Sequence, residues 1–349
     1  MKKKYKILVV GAANLKSKTT PAGGQEIKVL AFYKHFIDKY GKDNVAIVDT
    51  IGWKKHIIKN VFSLFKYARK AENIVMLPGS KAIKIVPKLA LLFKKKKTKT
   101  IILAIGGWLG GKVKDSSRLE KTLKKIDFIG VEMNFMKEEL EQYGFQNVEV
   151  VRNVRQFKTI PPSEIHKPNE LIKVCTFSRI NSKKGIIEAI DAVILANTTL
   201  GKVKYELTLY GAVEEPFKEE FYNKLKTCPS YIKYAGIINA FESQRILLNY
   251  DILMLLTKYT CEGFPGTILD AYFSGLMVIG SAQCSLKESV KEGTNGYLIE
   301  NSDPKKTADL LVSLADRPEE IYQFKLRNLE ESKEYSQDKI FNEVDEKLI

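Results

Sequence analysis

Residues 252–275 read ILMLLTKYTCEGFPGTILDAYFSG. The apolar run 252–256 has the near-continuous hydrophobicity of a parallel strand buried on both faces. A loop carrying Glu262 follows, and then Gly263, Phe264, Pro265, Gly266 and Thr267. Pro265 or Thr267 opens a helix, proline being favoured in a first turn. Asp270 falls about one turn inside that helix, on a face able to look back toward the strand exit. The glycines permit close backbone approach to a ligand. Two carboxylates so placed, Glu262 and Asp270, can accept hydrogen bonds from vicinal hydroxyls. They are also readable as a solvated loop residue and a helix-surface charge.

The strand–loop–helix unit repeats in both directions. Apolar runs bounded by turn residues recur at 173–177, 205–210, 232–235, 277–280 and 297–299. An earlier series lies at 6–10, 45–49, 73–77, 100–105, 127–131 and 148–151. Helical patterns separate them. In 25–40, for example, Ile27, Leu30, Ala31, Tyr33, Phe36 and Ile37 follow a period near 3.6. Strands alternating with helices imply parallel βαβ units. The polar stretch 152–169, with three prolines, reads as the joint between two such series. The expected architecture is α/β, with two Rossmann-like doubly wound domains facing a cleft at the C-terminal ends of their strands, where open sheets bind ligands. The expected division is 1–155, a linker at 156–169, 170–330, and a helix at 331–349 that returns to the N-terminal domain.

Composition narrows the class. The chain has 349 residues, 44% of them hydrophobic and 28% charged, and no apolar stretch reaches the ~18 residues of a membrane span. MKKKYKILVV is basic then apolar, but its apolar run is short and passes straight into Gly11-Ala12-Ala13-Asn14, a strand entering a loop rather than a leader. A cytoplasmic protein is expected. Cys175, Cys228, Cys261 and Cys284 are scattered, with no CxxC pair or nearby histidine cluster, so neither a disulfide framework nor a metal site is indicated. The net charge is +16, and it is unevenly spread. Residues 1–130 hold 30 of the 57 Lys and Arg but 8 of the 41 Asp and Glu, a balance of +22 against −6 for the remainder. A polyanionic surface facing the first half would account for that asymmetry.

After the run 173–177 come Ser178, Arg179, Ile180, Asn181, Ser182, Lys183, Lys184 and Gly185, and then an amphipathic helical pattern from Ile186. Arg179 and Lys184 are thereby carried to a helix N-terminus, where free amides and the dipole already favour an anion such as a diphosphate. Taken alone, the segment is equally consistent with a solvated basic loop.

Together the segments 177–185 and 262–275 resemble the family 4 glycosyltransferases of GT-B fold. That family carries an Arg…Lys-Gly loop after the first strand of its C-terminal domain and, about eighty residues on, Glu-Gly-Phe-Gly with a second carboxylate eight positions later; Glu262 and Asp270 stand at that spacing. The likeness covers most of 170–330. It implies that Arg179 and Lys184 hold the diphosphate of a nucleotide-sugar donor and that Glu262 contacts the donor sugar. The amides of Gly263, Phe264, Pro265-Gly266 and Thr267 would meet sugar and phosphate, and Asp270 the ribose. The base would pack near Tyr210-Gly211 and Gly236-Ile237-Ile238. Family members usually have glutamate where Asp270 stands, one methylene longer.

In the N-terminal half, Gly23 and Gly24 of the stretch Pro21-Ala22-Gly23-Gly24 resemble the family's glycine-rich loop, although a Gly-Gly pair is also an ordinary turn. Members often carry a histidine beyond the fourth strand. Here Gly106-Gly107-Trp108 occupies that place, as possible sugar or acceptor contacts, and none of His35, His56 and His166 substitutes for it. Together with Glu132-Met133-Asn134 and EGFPGT, this motif resembles bacterial enzymes of capsule, O-antigen or exopolysaccharide assembly. The resemblance implies hexosyl transfer, with retention and without a metal or other cofactor, from a UDP-sugar in preference to a GDP-sugar. The leaving phosphate oxygen itself can take the acceptor proton, and no Ser/His/Asp set or glycosidase carboxylate pair competes for the role.

Residues 53–70, WKKHIIKNVFSLFKYARK, combine an apolar stripe (Trp53, Ile57, Val61, Phe62, Phe65, Ala68) with six Lys and Arg, and 91–99, LLFKKKKTK, repeats the combination. Such patterns suit an anionic lipid surface, at ~1 kcal/mol per lysine. The stripe is equally suited to packing on its own sheet, and its deepest apolar residues are expected to do so. Peripheral association with the inner membrane face would bring the enzyme to a polyprenyl-linked saccharide acceptor. The rival readings are an epimerase-like or non-catalytic sugar-nucleotide binder and a nucleic-acid-binding protein. No helix-turn-helix, zinc-finger or RRM motif supports the last, so a nucleic-acid partner is not expected.

Overall fold

The computed structural model describes residues 4–15, 23–239, 242–260 and 263–348, with Lys54 and Cys284 by backbone only. Every strand expected from the apolar runs is present, with ends displaced by at most two residues. The chain forms two units. The first takes in the chain up to Gln156, Gly263 and Phe264, and everything from Tyr335 onward. The second takes in the rest.

In the first unit, β1 (Tyr5–Gly11), β2 (Val45–Asp49), β3 (Ala71–Leu77), β4 (Lys99–Leu103), β5 (Phe128–Val131) and β6 (Val148–Val150) form one parallel sheet in the order β2-β1-β3-β4-β5-β6. Central strands covered on both faces need apolar residues at every position. Accordingly Ile7, Leu8, Val9 and Val10 are all fully buried. Helix Gly24–Tyr40 lays Val29, Ala31, Phe32 and Phe36 into the core. The C-terminal helix Gln337–Asp345 docks against it. There the Phe341 ring stacks on His35 with centroids 4.2 Å apart, and Asp345 Oδ2 pairs with His35 Nε2 at 2.9 Å and Lys39 Nζ at 2.7 Å. Burial works against the Asp345 charge, but the His35 and Lys39 hydrogen bonds hold its carboxyl below the ordinary carboxylate value.

One expectation is corrected in this unit. The segment 53–70 is not a single helix: a 3-10 turn at Trp53–Lys55 ends at His56 (φ −133°, ψ 34°), and the α-helix runs over Ile57–Ala68. Within that helix Asn60, Leu64 and Ala68 face inward, while Ile58 (87% exposed), Phe62 (65%), Ile57 and Phe65 face outward. Of the anticipated stripe, only Ala68 is fully buried.

The second unit holds β7 (Ile172–Phe177), β8 (Tyr205–Tyr210), β9 (Ile232–Gly236), β10 (Ile252–Leu255), β11 (Met277–Ser281) and β12 (Gly296–Ile299), all parallel, in the order β12-β11-β10-β7-β8-β9. Strand order reverses between β7 and β10, the switch point at which doubly wound sheets take ligands. Helix Ile186–Leu200 packs against Pro304–Leu314, and Ile190, Val193, Leu311 and Leu314 close that layer. At the opposite edge, Lys325 Nζ is buried on Asp251 Oδ1 at 2.8 Å and on the Tyr250 carbonyl at 3.1 Å. Burial pushes the Lys325 ammonium below its ordinary value despite the partner carboxylate. Removing one half of a buried pair strands the other charge. Lys325→Met is therefore expected to cost about 3–5 kcal/mol, read from urea unfolding.

Candidate active site

The strand exits of the second unit are stitched together through their backbones. After β7 the chain leaves along 178–185. The Ser178 amide donates to the Tyr210 carbonyl at 3.2 Å, and Ile180 bridges to Val213. Gly211 lies so close to this loop that a Cβ there would sit 1.7 Å from the Ser178 carbonyl oxygen. On the other flank the Lys258 amide donates to the Lys183 carbonyl at 2.7 Å. Gly185 (φ +68°) passes against the end of β10, where a Cβ would lie 1.9 Å from the Leu256 carbonyl oxygen. The loops after β7, β8 and β10 thus form one cluster at the switch point.

Gly185 caps helix Ile186–Leu200 in a left-handed conformation that any side chain would strain. The first-turn amides of that helix have no intrahelical acceptors, so the loop presents both donors and a positive dipole end. Lys184 Nζ lies 5.0 Å and Lys183 Nζ 5.5 Å from the centre of the Tyr259 ring, an attraction that holds the two ammonium groups over this edge. Arg179 Nη1 donates to Glu214 Oε1 at 2.9 Å. The arginine side chain is 60% exposed, and exposed pairs contribute little, so exchanging Glu214 for an anionic ligand costs little. Arginine, lysine and helix amides on one loop are the donor set that a diphosphate requires.

Glu262 lies outside the described residues. Beyond it, Pro265 (φ −66°, ψ 123°) caps helix Gly266–Phe273. The Thr267 hydroxyl is buried there with no hydrogen-bond partner among the described residues. Asp270 is 2% exposed and accepts from the Ser243 hydroxyl at 3.3 Å, which removes the helix-surface reading of this carboxylate. Tyr210 is also buried, its hydroxyl paired with that of Tyr250 at 2.8 Å. What the 210–211 corner offers is therefore backbone: the Gly211 amide meets the Gly236 carbonyl at 2.8 Å, beside an Ile237 that is 74% exposed.

Gly263 and Phe264 belong to the first unit. The Phe264 amide donates to Glu132 Oε2 at 3.2 Å, its carbonyl accepts from Asn153 Nδ2 at 3.2 Å, and its ring meets Tyr335 with centroids 5.0 Å apart. The Gly106 amide reaches the same Glu132 oxygen at 3.3 Å, and Gly106 (φ +87°) turns the chain so that Trp108 folds against it. Gly107 is buried and Trp108 partly buried. Gly23 caps helix Gly24–Tyr40 in an extended conformation, and no described atom lies within 4 Å of a Cβ built at Gly23 or Gly24. Sequence reasoning missed Lys28, whose ammonium is buried on Glu132 Oε1 at 2.7 Å, and also Ser243, Glu214 and Tyr259. A lysine among apolar neighbours in 27–31 and a glutamate directly after a fully apolar strand were the available signals.

Two Rossmann-like sheets of these topologies, the second with a basic loop at its switch point, define a GT-B fold. Residues 158–328, just under half of the chain, match the family Glycosyl transferases group 1. It is 26% identical over 156 residues to the amylovoran biosynthesis glycosyltransferase AmsK of Erwinia amylovora, covering 43% of this chain and 37% of that one. To the UDP-N-acetylglucosamine–peptide N-acetylglucosaminyltransferase GtfA subunit of Streptococcus pneumoniae it is 28% identical over 209 residues, 57% of this chain and 39% of that one. The chain thus spans less than half the length of these curated relatives. HepE from Anabaena, solved with UDP-glucose, superposes with a TM-score of 0.71 at 15% identity, over 97% of this chain and 98% of its own; this likeness concerns the fold.

Gly185→Ala is expected to be destabilising by on the order of 1–3 kcal/mol. Both its positive φ and the Leu256 carbonyl oppose a Cβ. Urea denaturation checks this, with the unobstructed Gly201→Ala (φ +64°) as the control for backbone strain alone.

Proposed function

We propose that the protein transfers a hexosyl group from a nucleotide sugar, UDP-linked, to a lipid-linked saccharide during assembly of a bacterial capsule, O-antigen or exopolysaccharide. The observation that carries this reading is the 178–185 loop, with Arg179 and Lys184 set on the N-terminus of helix Ile186–Leu200 at the sheet's switch point. Breaking the bond between sugar C1 and the phosphate oxygen moves negative charge onto the diphosphate. Cations and preoriented amides at that place lower the barrier more than they stabilise the resting donor. In the proposed step the acceptor oxygen bonds to C1 with retention, and its proton passes to the departing phosphate oxygen. Arg179, Lys184 and the helix amides meet the developing charge, so the reaction proceeds without a metal. Glu262 contacts the sugar and Asp270 the ribose. The printed names of AmsK, an amylovoran biosynthesis enzyme, and of HepE, solved with UDP-glucose, support the polysaccharide and UDP-sugar parts of the reading.

The same reading places the first unit against anionic lipid at the inner membrane face. Helices Ile57–Ala68 and Val86–Phe93 pack together through Phe65 and Phe93, and they expose Ile57, Ile58, Phe62, Ile85 and Leu92 among Lys55, Lys59, Lys66, Lys84 and Lys88. Apolar residues that reach solvent on elements that also expose lysines complement the interface of an anionic leaflet. No helix of the described residues is long and apolar enough to cross a membrane.

Titration calorimetry with UDP, GDP and their sugars is expected to show micromolar binding of one nucleotide sugar, weakened by Glu262→Ala. Arg179→Ala and Lys184→Ala should each lower turnover about 10²–10³-fold while circular dichroism and thermal midpoint stay near wild type. Wild-type transfer rates in both would sink the assignment. For the lipid surface, co-sedimentation with phosphatidylglycerol vesicles at low salt should fall several-fold in I58S/F62S, and binding unaffected by both salt and substitution would refute it.

A further inference from the structure

Glu132 is the point at which three separate stretches of the first unit meet. Its Oε1 accepts from Lys28 Nζ at 2.7 Å, and its Oε2 accepts from the backbone amides of Phe264 at 3.2 Å and Gly106 at 3.3 Å. Lys28 is 1% exposed and Glu132 2%. Gly263 leaves no slack around this carboxylate: a Cβ there would lie 2.5 Å from Glu132 Oε2 and 2.6 Å from Gly106 Cα. Burying two opposite charges is a poor way to stabilise a fold, since an apolar pair of the same volume usually does as well or better. The arrangement is accounted for by what the carboxylate holds. An ionised carboxylate offers about four lone-pair directions, enough to take an ammonium and two amides at once, and the ammonium offsets the charge that the amides alone would leave buried.

We infer that Lys28 and Glu132 are a positioning pair for glycosyl transfer. Glu132 fixes the backbone at Gly263 and Phe264, the residues that directly follow Glu262 and lead into helix Gly266–Phe273, and ties it to the Gly106-Gly107-Trp108 turn. Lys28 is the counter-charge that lets the carboxylate do this inside the unit. Neither residue touches substrate; both act through the segment that carries the sugar contact. The inference rests on the donor-site reading above, in which Glu262 meets the sugar while Arg179 and Lys184 hold the diphosphate. It separates two properties. Nucleotide affinity resides with Arg179, Lys184 and Asp270 and is independent of the pair, whereas turnover depends on it.

The test compares wild type, K28M/E132L and K28M/E132Q by thermal midpoint, calorimetric UDP affinity and steady-state transfer. K28M/E132L removes both charges and the acceptor. It leaves the Phe264 and Gly106 amides without their acceptor, so some fall in thermal midpoint is expected, with UDP affinity within about twofold and a loss of turnover on the order of 10- to 100-fold, as small misplacements near a reacting centre produce. K28M/E132Q retains an acceptor oxygen for the two amides, should recover several-fold over K28M/E132L, and carries the same test if the leucine variant fails to fold. A purely structural role would move the thermal midpoint and leave the ratio of turnover to nucleotide affinity unchanged. Equal turnover in the folded proteins overturns the inference while the donor-site reading stands. A folded wild type that binds no nucleotide overturns that reading, and the inference with it.

Discussion

A parallel sheet cannot be built from hairpins. Each strand must be reached by a crossover, so every strand of the sheet ends along the same edge. In the second unit this constraint brings Ser178, Tyr210 and Leu256 together although 32 and 46 residues separate them in turn. The reversal of strand order at β7 and β10 then opens space above that edge, because the crossover helices leave toward opposite faces. A basic loop anywhere else on the protein would be a solvated loop. Here it ends in a helix whose first amides lack acceptors, beside two further strand exits whose backbones hold it in place.

Close backbone approach is what makes the cluster rigid enough for chemistry. Gly185 and Gly211 stand where a methyl group would strike the carbonyls of Leu256 and Ser178, so the loop after β7 is pressed between its neighbours with no side chain intervening. The glycines at this edge therefore serve packing. Flexible groups are confined to the tips, where Arg179 rests on Glu214 and Lys184 on the Tyr259 ring. Such weak, solvent-screened partners restrain a cation and surrender it readily to a phosphate.

The first unit inverts the usual distribution of charge. It buries an ammonium and a carboxylate at its centre and turns isoleucine and phenylalanine outward on helix Ile57–Ala68. Both departures from ordinary burial carry a free-energy cost, and each coincides with a feature that a stable fold alone does not require. The buried pair fixes the backbone at Gly263 and Phe264, and the helix with the outward apolar face also exposes Lys59 and Lys66. Helix Gly24–Tyr40 supplies Lys28 to the first arrangement and is itself held by the C-terminal helix through His35 and Asp345.

Local periodicity was enough to locate every strand, because burial on both faces of a parallel sheet forces unbroken apolar runs that hardly any other structure needs. The strand exits and helix starts of 177–185 and 263–275 were legible for the same reason: these features lie consecutively in the chain. Helix phase was less secure. Apolar residues on most sides of helix Ile57–Ala68 left the pattern unable to choose which face meets the sheet. Pairings between distant residues were not legible at all. Lys28 and Glu132 are 104 positions apart, and neither Ser243 beneath Asp270 nor the membership of Gly263 and Phe264 in the first unit is encoded in any local pattern. Steric and hydrophobic periodicity act between near neighbours and so determine the elements and their order. The partner of a buried charge is decided only when packed elements exclude water, leaving each polar group to find whatever donor or acceptor the finished fold has brought within reach.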